Sequence, residues 1–461
     1  MTPAPAPLAP RRFSAPDGLV ELLQLAWPVV LARLGIMAMG LTDAIVVGHH
    51  SAQQLGFHAI GWAPTSIMLT TAVGLLMGVQ VMTARHIGEG RRDQTGGVLR
   101  RGLVYAFWIG AASVVVLGVL GPGFLRLTGL GPGLAEGAGK ALRVFAWSLP
   151  SYLGATVCIF YLEALSRPKA GMVAMWLANA VNLAANLWLV PGHSGLPVEG
   201  AVAAGWATFL ARTFLFLWLA VFILRLPEAR ELGLFRKPSD GPTAAWDQLK
   251  LGLGSGASYF VEVGAFAALT LIAGQLGGLE AAAWACVLNV SAIIFMAPMG
   301  LAAATGVLVG RAYGARDGRG VSRAGFLGFG VTLVLTLVVC AVVWPGAGVI
   351  SRAYTSDPRL IAIAAPALVL SCLFFVADGL QVVAAQALRA ADDVWIPTAF
   401  HLTSYGVIML PLGWWLAHRT NLGVDGLVWA VIVASLVSAG LLCARFAAVA
   451  RRFRGAGHSL K

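Results

Sequence analysis

The chain has 461 residues, of which 58% are hydrophobic and 11% charged, and its mean hydropathy is +0.81. A soluble domain carries about 25% charged residues, so this composition excludes a soluble enzyme. The net charge of +12 raises nucleic acid as a partner, a reading that the placement of the charges removes, because no soluble basic domain holds them.

Apolar runs of about 20 residues, the length that crosses a bilayer, fall at 19–47, 58–84, 102–121, 141–164, 170–190 and 200–224. Six more fall at 251–274, 281–309, 324–344, 361–388, 394–416 and 424–447. The Pro- and Ala-rich start, with Arg11 and Arg12, lacks a small-residue cleavage site before a signal-length run, so the first run is expected as a retained helix. The expected division is an N-terminal tail 1–18, a first lobe 19–224, a linker 225–250, a second lobe 251–447 and a basic tail 448–461.

With the N-terminus in the cytoplasm, most Lys and Arg fall on that side, and the other side receives only Arg126, Lys140, Arg143, Arg352, Arg359 and Arg419. This positive-inside bias predicts an even number of spans and both termini in the cytoplasm of a cell with the chain in its inner (plasma) membrane. Cys158, Cys286, Cys340, Cys372 and Cys443 lie in apolar runs without metal-like spacing and read as small core hydrophobes. His49, His50 and His58 stand near the outer end of the first hairpin and read as solvated loop residues rather than metal ligands.

The chain repeats itself at an offset of 226: Gly48 matches Gly274, Ala59 Ala285, Gly74 Gly300, Val81 Val307, Arg85 Arg311 and Gly88 Gly314. The fold class expected is therefore an all-α integral membrane protein of twelve helices in two parallel six-helix halves. Substrate sites in such repeats lie between the halves, which rock to give alternating access.

Three carboxylates stand inside apolar helices: Asp43, Glu262 and Asp378. A charge there costs about 2.5–3.5 kcal/mol on insertion scales, so such groups mark ion or proton paths or are held by a neighbouring helix. Glu262 and Asp378 belong to the middle of spans seven and ten. Two carboxylates sharing a low-dielectric pocket are stable only when a proton or metal cation offsets their charge. In span five, Asn179, Asn182 and Asn186 share one helix face, as a polar cluster or as interhelical glue. Gln381 lies one turn from Asp378, and Asn289 is a lone amide suited to packing. Pro28, in the helix of Asp43, permits a static bend or a moving hinge. Arg33 and Arg212 stand inside spans one and six, with Asp43 and Glu163 as candidate partners and snorkelling as the other outlet.

No G-x-x-x-x-G-K-[ST], HExxH or G-x-S-x-G occurs, so ATP hydrolysis and hydrolase chemistry are not expected, nor any cofactor or structural metal.

The stretch LAWPVVLARLGIMAMGLTDAIVVGHHSAQQLGFHAIGW, then VGLLMGVQVMTARHIGEGRRD, resembles the multidrug and toxic compound extrusion (MATE) transporters. The second half repeats the likeness in LGLGSGASYFVEVGAFAALTLIAGQLG, FMAPMGLAAATGVLVGRAYGARD and ADGLQVVAAQALRAADD, so it covers nearly the whole chain. The NorM-type branch is the nearest in pattern, since it carries a Glu in span seven and an Asp in span ten. The resemblance implies a V-shaped pair of bundles that exports cationic or amphipathic organic compounds, coupled to inward H+ or Na+ flow. It implies that Asp43 is the first-helix carboxylate, that Asn182 and Asn186 neighbour it, and that Glu262 and Asp378 hold the coupling cation, Na+ included. Where the branch often has a Tyr before the span-ten Asp, this chain has Phe374, which favours protons over sodium, and its span-eight His-Gln pair is Trp284-Ala285.

The alternative is a lipid-linked oligosaccharide flippase of the same superfamily, which would need a cationic cavity; three membrane acids against two membrane arginines oppose it. A membrane transferase would need a polar catalytic cluster at one face, and a channel would not need two lobes. The expected partners are small organic cations or drugs and membrane lipids, with no nucleic acid, and the expected state is a monomer.

Overall fold

The computed structural model describes residues 15–127, 131–192, 195–236 and 241–456; Arg11, Arg12, Lys237, Lys461 and the ends of both expected tails lie outside them. The described residues form helices and no strands. The first bundle is built from α1 (Ala15–His50), α2 (Ala52–Leu75, resuming as Gly78–Gly88), α3 (Thr95–Ser113, continuing to Leu127), α4 (Pro132–Ala164), α5 (Pro168–Leu189) and α6 (Gly200–Leu224). The second is built from α7 (Pro242–Leu276), α8 (Gly278–Gly314), α9 (Gly318–Tyr354), α10 (Pro358–Ala390), α11 (Trp395–His401, then Leu402–Met409 and Leu410–Arg419) and α12 (Val424–Ala456).

Eleven of these helices are long and apolar enough to cross a membrane. α11 departs from a continuous α-helix where Leu402–Met409 winds as a wide π turn, as α3 does at Val114–Leu120. Helix starts follow local chemistry. Pro opens α5 and α10 at positions where a missing N–H costs nothing, and Asp317 and Asp357 accept from the backbone N–H of Gly320 and Arg359 at 2.9 Å.

The two bundles join on the face that carries the termini. There, apolar clusters cross between them: Leu251, Tyr259 and Val394 pack into the first bundle's core, and Leu22, Leu25, Ala26 and Ala84 into the second's. Towards the opposite face each cluster draws on one bundle alone. That separation is the V. The joint is made of backbone in close approach, which only glycine allows. A Cβ on Gly74 of α2 would lie 2.8 Å from Gly256 Cα of α7, and a Cβ on Gly300 of α8 would lie 3.2 Å from the Ala26 carbonyl of α1. The offset of 226 pairs Gly74 with Gly300 and Gly256 with Val30, so the two contacts are mates under the pseudo-two-fold axis.

The segment after α6 folds back beneath the first bundle. Arg100 donates to the Leu234 carbonyl at 2.9 Å, Gly96 N–H to the Leu232 carbonyl at 2.8 Å, and Arg167 pairs with Glu228 at 2.7 Å.

Candidate functional site

A cavity of about 380 Å³ lies between the bundles, lined from the first by Arg33, Ile36, Met37 and Tyr152 and from the second by Glu262, Phe295, Phe374 and Asp378 among others. Its wall is aromatic and Met-rich, a surface that adapts to varied apolar ligands. The offset of 226 pairs Glu262 with Ile36 and Asp378 with Tyr152. Both bundles thus present equivalent faces to the cavity, and only the second makes its face acidic.

Glu262 on α7 and Asp378 on α10 are each 9% exposed. Gln381, one turn along α10, donates through Nε2 to Asp378 Oδ1 at 3.2 Å and to Glu262 Oε1 at 3.4 Å, so one amide ties both carboxylates together. Ser438 of α12 donates to Gln381 Oε1 at 3.3 Å and fixes the amide's orientation. Tyr405 of α11, fully buried in the wide π turn, donates its hydroxyl to Asp378 Oδ1 at 3.3 Å. The hydroxyl that Phe374 lacks is therefore supplied from another helix, which removes the ground for preferring protons. Sequence reading missed Tyr405, and the one available signal was a tyrosine beside His401, Thr403 and Ser404 within a membrane span. Trp284, in place of the expected histidine, is buried and donates to Thr270 Oγ1 at 3.2 Å. Asn289 donates to its own helix at the Ala285 carbonyl.

A second polar centre lies in the first bundle. Asp43 Oδ1 accepts from Asn182 at 2.9 Å and Asn186 at 2.7 Å, and Oδ2 accepts from Thr208 at 2.5 Å. All four residues are at most 3% exposed. Asn179 stands apart from this carboxylate: it donates to the Gly35 carbonyl of α1 at 2.9 Å. Gln381 belongs to the other bundle's centre. Thr208 was not singled out from the sequence, because a lone Thr in a span carries no distinguishing pattern.

The two membrane arginines have separate settings. Arg33 pairs with Glu163 at 3.6 Å, and Gln80 donates to Glu163 at 2.6 Å while accepting from Gln386 of the second bundle at 3.0 Å. This buried chain underlies the cavity and crosses the joint. Arg212 donates to Ser148 at 2.7 Å, lies 4.7 Å over the Tyr152 ring, and is within electrostatic reach of Asp43.

Pro28 lies inside an unbroken α1, in the turn that faces Gly300. The histidine reading needs correction. His49 and His50 are exposed at the end of α1, but His58 is 5% exposed within α2, its ring edge-on to Phe145 at 5.2 Å, because α2 begins six residues earlier than expected and carries it into the packing with α4. The five cysteines are free, with Cys158, Cys286 and Cys372 buried.

On the face of the termini a polar cavity of about 710 Å³ is lined by Arg85, Glu89, Arg91, Asp247, Lys250 and Asp392 among others. Partial burial works against ionised Glu89, but hydrogen bonds from Arg91 and His86 outweigh it and hold the carboxyl below its ordinary range.

Comparison with known proteins agrees with this architecture. The MatE family model matches the chain twice, at residues 28–188 and 255–415. The probable multidrug resistance protein NorM of Caulobacter vibrioides is 55% identical over 441 residues, covering 95% of this chain and 94% of that protein. A protein of the same name from Mesorhizobium japonicum is 33% identical over 436 residues, covering 92% of each. The crystal structure of a eukaryotic MATE transporter superposes with a TM-score of 0.85 at 18% identity, covering 96% of this chain and 99% of that one, a likeness of fold.

Proposed function

This chain belongs to the MatE family, and from that membership we propose that it is a secondary active antiporter that exports cationic or amphipathic organic compounds. The observation that carries the reading is the cavity between two pseudo-symmetric bundles, closed on the face of the termini, with a carboxylate pair in one wall. An apolar, Met-rich cavity accepts varied organic ligands, and the carboxylates favour those with positive charge.

Glu262 and Asp378 are the coupling pair, holding H+ or Na+ in exchange for substrate. Cation binding and substrate release then compete, and the lobes cross between states with one or the other bound, which converts an inward gradient into outward transport. Asp43, with Asn182 and Asn186, is a second ion-sensitive centre whose charge state biases the bend of α1 at Pro28. The chain lies in the plasma membrane with both termini in the cytoplasm, as the positive-inside bias supports, and the cavity in this state opens to the outside. A flippase for an anionic lipid-linked sugar is disfavoured by an acidic cavity wall.

The test is ion-driven transport of a panel of cationic dyes by the purified chain in proteoliposomes under imposed sodium or proton gradients. Dye movement under neither gradient sinks the antiporter reading.

A further inference from the structure

We infer that Arg389 is a built-in counter-cation for the Glu262–Asp378 pair, so that one imported monovalent cation completes the charge balance of the site. The inference rests on the reading of those carboxylates as the coupling pair.

Arg389 stands near the end of α10 and is 1% exposed. Its Nε and Nη2 have no hydrogen-bond partner, and its guanidinium lies over the Tyr259 ring at 5.7 Å. A buried guanidinium so sparsely held in a membrane protein demands a compensating acid. Glu262 lies one turn beyond Tyr259 on α7 and is within electrostatic reach of Arg389.

The first bundle shows what is missing. The residues that precede Tyr259 and Arg389 by 226 positions are Arg33 and Glu163, and these form an ion pair at 3.6 Å. The first bundle thus neutralises Arg33 with a local acid at the position where the second bundle has Arg389 itself. Of the acids around Arg389, Asp392 and Asp393 are taken by Arg85 and Arg445, and Glu262 of the coupling pair is the one within its electrostatic reach. The other titratable groups around them are Tyr259 on α7, His401 and Tyr405 on α11, and Arg33 across the cavity.

Two carboxylates and one guanidinium leave a single negative charge, which one proton or one sodium ion offsets. Without Arg389 the pair would hold its cation too tightly to release it. Arg389 also touches the joint between the bundles: Arg85 of α2 donates to the Arg389 carbonyl at 2.9 Å and to the Ala390 carbonyl at 3.1 Å.

The test follows ethidium export by the full-length chain in proteoliposomes as the sodium concentration and, separately, the proton concentration is varied, for the wild type, Glu262→Gln, Arg389→Gln and Arg389→Lys. Arg389→Gln should lower the half-maximal cation concentration by about tenfold or more, and Arg389→Lys, which keeps the charge, should restore a value near the wild type. Wild-type export by Glu262→Gln would overturn the coupling reading and the inference with it. A silent Arg389→Gln beside an inactive Glu262→Gln would overturn the inference alone. Should Arg389→Gln fail to fold, Tyr259→Leu frees the guanidinium to settle on Glu262 and should raise the half-maximal concentration; an unchanged value in that folded variant overturns the inference.

Discussion

Gly88 of α2 lies so close to Arg311 of α8 that a Cβ on it would meet the Arg311 carbonyl oxygen at 2.0 Å, and Gly314 of α8 meets the Arg85 carbonyl in the same way at 2.2 Å. The two contacts are each other's mates under the offset of 226, so a single substitution type tests both halves of the joint. Gly88→Ala or Gly314→Ala forces backbone apart, at a cost of about 1–3 kcal/mol. Spin labels at Arg92 and Ala315, both exposed, should report longer and broader distances in either variant. Unchanged distances would mean that the joint yields elsewhere.

Arg33 and Glu163 should behave as one unit. Removing one partner of a buried pair costs about 3–5 kcal/mol, because it leaves the other charge uncompensated. Arg33→Met alone should lower the thermal midpoint more than Arg33→Met combined with Glu163→Gln. Additive losses in the double variant would show that the two charges do not depend on each other.

Asp43 accepts three side-chain hydrogen bonds from amides and a hydroxyl. Asp43→Asn replaces one acceptor oxygen with a donor that faces those donors. Export in cells should fall while membrane abundance is kept, and normal export would reduce this centre to packing.

Glu262→Gln and Asp378→Asn should each abolish gradient-driven export and leave the protein inserted and able to bind dye. Wild-type rates with unchanged ion dependence in either variant would remove that residue from the coupling pair.

Tyr405→Phe deletes the hydroxyl that donates to Asp378 at 3.3 Å, a bond of about 0.5–1.5 kcal/mol. It distinguishes the two coupling ions by sign. If protons drive export, the half-maximal proton concentration should fall, because the ionised carboxylate has lost a stabilising donor; if sodium drives it, the half-maximal sodium concentration should rise, because an oxygen ligand is gone. No change under either gradient would leave Tyr405 outside the ion site.

Much of this architecture was legible in one dimension. Hydropathy marks spans because each must be long and apolar, loop charges report orientation because lipid excludes them, and a repeat of 226 residues is visible wherever both halves need glycine at the same contact. The acids Asp43, Glu262 and Asp378 stood out because a charge in an apolar run is costly enough to require a reason. The pairings were not legible, because they are set by which helix faces meet. Arg33 had Asp43 and Glu163 as equal candidates along the chain, and the tertiary structure gave it Glu163. The hydroxyl absent at Phe374 returns as Tyr405, which α11 brings to Asp378. His58 is buried although its neighbours in sequence are not. Composition and periodicity act locally and so survive in the sequence, whereas partners separated by tens or hundreds of residues are decided by the crossing of helices, and only the tertiary structure contains that.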